Sequence, residues 1–157
     1  MRKVAIKDIR KQDYFYSEAI KTLRTNIQLS GKSIKTILVT SCFPNEGKSD
    51  VVFQLAKEMG MAGKKTVLLD ADIRKSVLVQ RYLVDSDVKG LSQYLSGQAP
   101  VRDILYGTNY ENMDVIFAGP MAPNPSELLN GKVFAKLMIE LKQRYDYVLI
   151  DTPPMAN

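Results

Sequence analysis

At 157 residues, 45% of them hydrophobic, the chain is long enough for one compact core and too short for two comfortable domains. A single cysteine, Cys42, and the absence of histidine exclude an intramolecular disulfide, the usual zinc sites and Ser-His-Asp catalysis. Any chemistry must run on carboxylates, lysines, hydroxyls and backbone. The net charge of +5 suits an acidic partner or the anionic inner leaflet of a membrane, but no block of about five or six like charges occurs, so the charge reads as a solvated basic surface and no nucleic-acid partner is expected.

The first residues, MRKVAIKDIRKQDYFY, lack the apolar stretch of a signal peptide, and no run approaches the roughly eighteen apolar residues of a membrane span, so a cytosolic chain is expected. Residues 1–33 read as an N-terminal arm and a helix, with Ile20, Leu23 and Ile27 near one face of a helix over 16–29 and Glu18, Lys21 and Arg24 on others. From residue 34 to 157 the pattern is that of an alternating core. Residues 36–40, TILVT, form a β-branched run. After a loop, Val51, Val52, Leu55, Ala56 and Met59 recur at helical intervals, ending near Gly60 or Gly63. A strand at 66–69 runs into Asp70. The section 76–108 is less regular, with short helices expected around 91–95 and 101–105 and turns at Lys89-Gly90 and Ser96-Gly97. A third strand is expected over 113–117, a proline-punctuated loop over 119–125, one helix over 126–144 with Ser126 as its N-cap, and a fourth strand over 147–150 ending on Asp151. Near-continuous apolar strands separated by helices predict an α/β fold, a mostly parallel sheet covered on both faces.

Between the first of these strands and the helix after it lies SCFPNEGKSD, residues 41–50. A phosphate cradle needs a strand, small residues that let backbone N–H groups close around oxygens, and a helix N-terminus with its partial positive charge. All three surround Glu46-Gly47-Lys48-Ser49. In that setting Lys48 would reach the β- and γ-phosphates of a nucleotide and Ser49 would ligate magnesium. The strict pattern wants glycine where Cys42 stands, so the spacing alone fails by one residue. Asp70, Asp72 and Asp151 fall at or just past strand ends, where open α/β sheets collect ligands, and could hold magnesium or its water; Asp-x-Asp after a strand is equally a turn signal.

Taken together, TILVTSCFPNEGKS, VLLDADIRKS and YDYVLIDTPP resemble the Walker A, Walker A′ and Walker B segments of the bacterial tyrosine kinases that accompany capsule and exopolysaccharide synthesis. SEAIKTLRTNI and AGPMAPNPSELLNGK are similar to the same family, and the match spans nearly the whole chain. The resemblance implies the P-loop fold of the Min-type and Par-type partition ATPases, ATP and Mg2+ as cofactors, and phosphoryl transfer to protein tyrosines. By position, Pro44, Asn45, Glu46, Gly47, Lys48, Ser49 and Asp50 would line the nucleotide. Ser49, Asp70 and Asp151 would serve magnesium, and Lys48, Asp70 and Asp72 the transfer itself, with Asp70 and Asp72 holding magnesium's water or accepting the tyrosine proton. It further implies a membrane-anchored activator or polysaccharide co-polymerase as partner, a place at the inner face of the membrane, and self-association. Glu18, Lys21 and Arg24 match the family's ring-forming E-x-x-R-x-x-R motif, with lysine for its first arginine; an ammonium cannot pair bidentately as a guanidinium does.

Two departures qualify those expectations. The family continues past the last motif with further strands, helices and a tyrosine cluster, so this chain is expected to be an incomplete form of the domain, with the strand at 37–39 left as an open edge. At Asp50 the family usually carries threonine. An acid in the first helical turn is favoured by roughly 0.3–1 kcal/mol in an empty site, whereas one like charge at about 5 Å from a phosphate costs roughly 3 kcal/mol before screening. The alternatives are a partition-type ATPase switch, whose usual second loop lysine is absent, and an inactive module that binds the activator.

Overall fold

The computed structural model describes residues 1–8, 13–41, 47–74, 78–82 and 84–153. Strands β1 (Arg2–Val4), β2 (Thr36–Val39), β3 (Thr66–Asp70), β4 (Leu105–Thr108), β5 (Met113–Ile116) and β6 (Tyr147–Asp151) form a sheet in the order β1-β4-β5-β3-β6-β2. Every neighbouring pair is parallel except β4 with β5. The helices are α1 (Tyr14–Leu29), α2 (Lys48–Met61), α3 (Leu78–Arg81), α4 (Leu91–Leu95), α5 (Val101–Ile104), α6 (Pro125–Leu129) and α7 (Lys132–Arg144).

β3 and β6 are buried at every position, which is what unbroken apolar runs require. Their side chains alternate between two cores. Leu68, Tyr147 and Leu149 pack with Ile20 of α1 and with Val52, Phe53, Leu55, Ala56 and Met59 of α2. Val67, Leu69, Val148 and Ile150 pack on the opposite face with Leu91, Ile104, Leu137 and Leu141. Each large side chain so enclosed is worth roughly 1.5–3 kcal/mol, and the two cores fix the sheet between helical layers.

Several elements differ from the sequence reading. The N-terminal arm supplies a strand, for Arg2–Val4 pairs with β4 at the far edge and Val4 and Ile6 are buried. Residues 105–108 form β4 where a helix was expected to run to 105. The helix expected over 126–144 is two, because Asn130 and Gly131 interrupt it; Asn124 precedes the first, Pro125 opens it, and Ser126 is inside it. Proline is well placed there, since its missing N–H has no partner to lose in the first turn. On α1, Leu23 is 38% exposed, and the face turned to α2 carries Tyr16, Ile20 and Ile27. That face also carries Arg24, whose Nη1 meets Glu58 Oε2 of α2 at 3.3 Å. Arg24 follows Ile20 by four residues, so it lies over the same stripe. Asp13 caps the helix by accepting from the Phe15 N–H at 3.0 Å. Among the described residues no helix is long and apolar enough to cross a membrane.

Candidate nucleotide-binding site

β6 lies between β3 and β2, so the carboxyl ends of these three strands form a rim beneath the start of α2. In register, Asp70 is the partner of Asp151, and Val39 the partner of Asp151 on the other side. The ends are tied together by the Ala71 N–H donating to the Asp151 carbonyl at 2.9 Å and the Thr152 N–H and hydroxyl donating to the Val39 carbonyl at 3.1 and 2.9 Å. Gly47, immediately before α2, has φ of 78° and ψ of 14°, a left-handed turn that glycine adopts without strain. That turn brings Lys48 and Ser49 into the first helical turn, directly over the rim.

There the two side chains converge on one carboxylate. Lys48 Nζ forms an ion pair with Asp151 Oδ1, and Ser49 Oγ donates to Asp151 Oδ2 at 2.7 Å. The Lys48 and Asp151 side chains are only 7% and 1% exposed. A pair this enclosed depends on both members, since loss of either leaves an uncompensated buried charge. Asp70 is buried beside it, and its Oδ1 accepts the Asp72 N–H at 3.0 Å. The turn reading of Asp-x-Asp is what the geometry shows: the Asp70 carboxylate organises the turn, one strand over from Asp151.

The donor set suits magnesium. Among the described residues no three or more His, Cys, Asp or Glu side chains are grouped to hold an ion. A metal here would take one hydroxyl and one or two carboxylates from the protein and its other ligands from water and phosphate, as magnesium usually does. Of the other loop residues singled out in the sequence, Pro44, Asn45 and Glu46 lie outside the described residues.

Asp50 is the third residue of α2, and its carboxylate accepts from two tyrosines. Oδ1 accepts from the Tyr82 hydroxyl at 2.6 Å and Oδ2 from the Tyr16 hydroxyl at 3.1 Å. Sequence reading passed over Tyr16, Tyr82 and Glu58 as partners; contacts 32 to 34 residues apart with no motif spacing leave no signal. Of the residues matched to the ring-forming motif, Glu18 is exposed, Lys21 half-buried and Arg24 paired with Glu58 within the chain.

A family model described as an AAA domain matches residues 34–157. Tyrosine-protein kinase CpsD of Streptococcus agalactiae is 42% identical over 139 residues, covering 88% of this chain and 61% of that protein. The chain thus spans about three fifths of the length of the curated relatives it matches. Among solved structures, the kinase domain of Escherichia coli tyrosine kinase ETK superposes with a TM-score of 0.83 at 32% identity, covering 88% of this chain and 55% of that one. The septum site-determining protein MinD of Pyrococcus horikoshii, solved with Mg-ADP, superposes with a TM-score of 0.66 at 26% identity over 78% of this chain and 50% of that one. The fold is that of the P-loop NTPases of the Min and Par type, and the chain belongs to the AAA-domain family, in the branch that contains the capsule-type bacterial tyrosine kinases.

Proposed function

We propose that this chain is the nucleotide-binding part of a protein-tyrosine kinase that transfers the γ-phosphoryl group of ATP to a tyrosine hydroxyl in the control of capsule or exopolysaccharide synthesis. The observation that carries the reading is the convergence of Lys48, Ser49 and Asp151 at the carboxyl ends of β2, β6 and β3, with Asp70 in register beside them. Likeness to CpsD and to the ETK kinase domain supports it. The Mg-ADP complex of the MinD relative supports nucleotide as the ligand.

In this reading Gly47 lets the chain close around phosphate, and Lys48 exchanges Asp151 for the β- and γ-phosphate oxygens, neutralising charge as it shifts toward the leaving group. Ser49 and Asp151, released from one another, would hold magnesium, and Asp70, in register beside Asp151, would hold its water. Bound magnesium would supply charge neutralisation across the phosphates. Asp72, on the turn that Asp70 organises, would accept the proton of the incoming tyrosine. Pro44, Asn45, Glu46 and the Asp50 amide complete the proposed phosphate contacts. Positioning and charge therefore carry the catalysis.

A membrane-anchored activator is the proposed partner, which would hold the chain at the inner face of the membrane. Self-association through Glu18 and Lys21 on α1 is part of the same proposal, and the family resemblance supports both. Incubation with magnesium-ATP and an activator peptide, followed by assay of bound nucleotide, phosphate release and phosphotyrosine together, tests it. Phosphotyrosine lost on addition of EDTA is the expected result. Phosphate release without phosphotyrosine would make the chain an ATPase switch, and no bound nucleotide would make it an interaction module.

A further inference from the structure

Asp50 puts a carboxylate in the first turn of the helix that the proposed function assigns to phosphate, yet that carboxylate is held by two tyrosines from elsewhere in the chain. Tyr82 is 1% exposed, and its ring stacks on Phe53 of α2 at 3.9 Å between centroids and 16° between planes. Its backbone is tied on both sides, with its carbonyl accepting from the Lys7 N–H at 2.8 Å and its N–H donating to the Leu78 carbonyl at 3.1 Å. The hydroxyl at 2.6 Å from Asp50 Oδ1 is thus a fixed donor. Tyr16 approaches Oδ2 from α1, the helix that Arg24 pins to Glu58 further along α2. Lys48 and Ser49, by contrast, point to Asp151 at the sheet. The anion and the two phosphate-binding side chains are therefore turned to different partners.

We infer that Tyr16 and Tyr82 are positioning residues for nucleotide: their hydroxyls hold the Asp50 carboxylate off the phosphate site, and through Tyr16 the seating of α1 sets ATP affinity. The inference rests on the proposed function. Two hydrogen bonds to an ionised acceptor favour one side-chain rotamer, and their loss would weaken that preference and raise the share of rotamers on the phosphate side. There its repulsion at about 5 Å would, unscreened, weaken binding on the order of a hundredfold.

A double-mutant cycle tests this. Magnesium-ADP and magnesium-ATP affinities are measured by calorimetry for the wild-type chain, Tyr16→Phe, Tyr82→Phe and both together, each also in an Asp50→Asn background, with thermal melting of every protein. Allowing for screening, the paired phenylalanines should weaken binding by about three- to tenfold in the wild-type background and by less than about twofold with Asp50→Asn. Equal losses in both backgrounds would show a merely structural role, and no loss in the wild-type background would show that the hydroxyls do not restrain the charge; either overturns the inference while leaving nucleotide binding intact. If Tyr82→Phe melts early, Tyr16→Phe alone carries the cycle, because its ring is only partly buried. Failure of the wild-type and Asp50→Asn chains alike to bind nucleotide would overturn the proposed function, and this inference with it.

Discussion

Under the proposed function Asp151 has two sets of partners to serve. As described, its oxygens take the Lys48 ammonium and the Ser49 hydroxyl at a site almost without solvent, while nucleotide and magnesium would need both groups turned outward. Under the proposed function the pair would stand in for ligand until phosphate replaces the carboxylate. Removing only one charge should be costly. Lys48→Met is expected to destabilise the chain by about 3–5 kcal/mol, and adding Asp151→Asn should recover most of that loss, as read by urea denaturation of both variants. Equal stabilities of the single and double variants would contradict a buried, mutually dependent pair. These residues were legible in the sequence because each ends or follows an apolar run and belongs to a local motif. Tyr82 was not, since nothing near it in sequence signals a hydroxyl aimed at Asp50.

Among the elements, α2 joins the site to the core, and its far end shows how closely it is packed. At Gly60 an added Cβ would overlap the Glu111 carbonyl oxygen, and Asn112 donates to the Gly60 carbonyl at 3.1 Å. Alanine in place of a mid-helix glycine normally gains up to about 1 kcal/mol. Here the neighbour is backbone and cannot turn away, so Gly60→Ala should instead destabilise by about 1–3 kcal/mol; an increase in its urea midpoint would refute the close approach. On the other face, Tyr145 follows α7 and donates to Asp114 of β5 at 2.5 Å. Burial first, then the Asp114 carboxylate, hold its hydroxyl well above the ordinary tyrosine range. Above about pH 10 the unfolded chain releases this proton while the folded chain keeps it, so stability should fall as pH rises. Tyr145→Phe should flatten that alkaline decline in melting temperature, and an unchanged slope would contradict it. The strands of the centre were readable from their apolar runs. β1 is three residues opened by Arg and Lys, and β4 carries Gly107 directly after a helical turn, so neither shows a period long enough to read.

At the scale of the molecule, the sheet has β1 at one edge and β2 at the other. The order matches what the family resemblance implied for β2, and Leu38 there is 63% exposed. α1 lies across one face, with Glu18 outward and Arg24 turned in to Glu58, so the proposed self-association would fall to Glu18 and Lys21. Lys21→Arg should strengthen self-association, because a guanidinium can pair bidentately with a partner's carboxylate; unchanged sedimentation would remove α1 from the account of assembly. The motif was legible in sequence, but Arg24's engagement within the chain was not, since it depends on how α1 crosses α2.

The proposed function requires Lys48, Ser49 and Asp151 to form a magnesium-nucleotide site. Calorimetric titration of the wild-type chain with magnesium-ADP, beside the charge-balanced Lys48→Met/Asp151→Asn variant checked for folding, measures it most directly. Saturable binding by the wild-type chain, weakened at least about tenfold in the folded variant and by withdrawal of magnesium, is the predicted result. Equal affinities in the two proteins, or no binding by the wild-type chain, would contradict it.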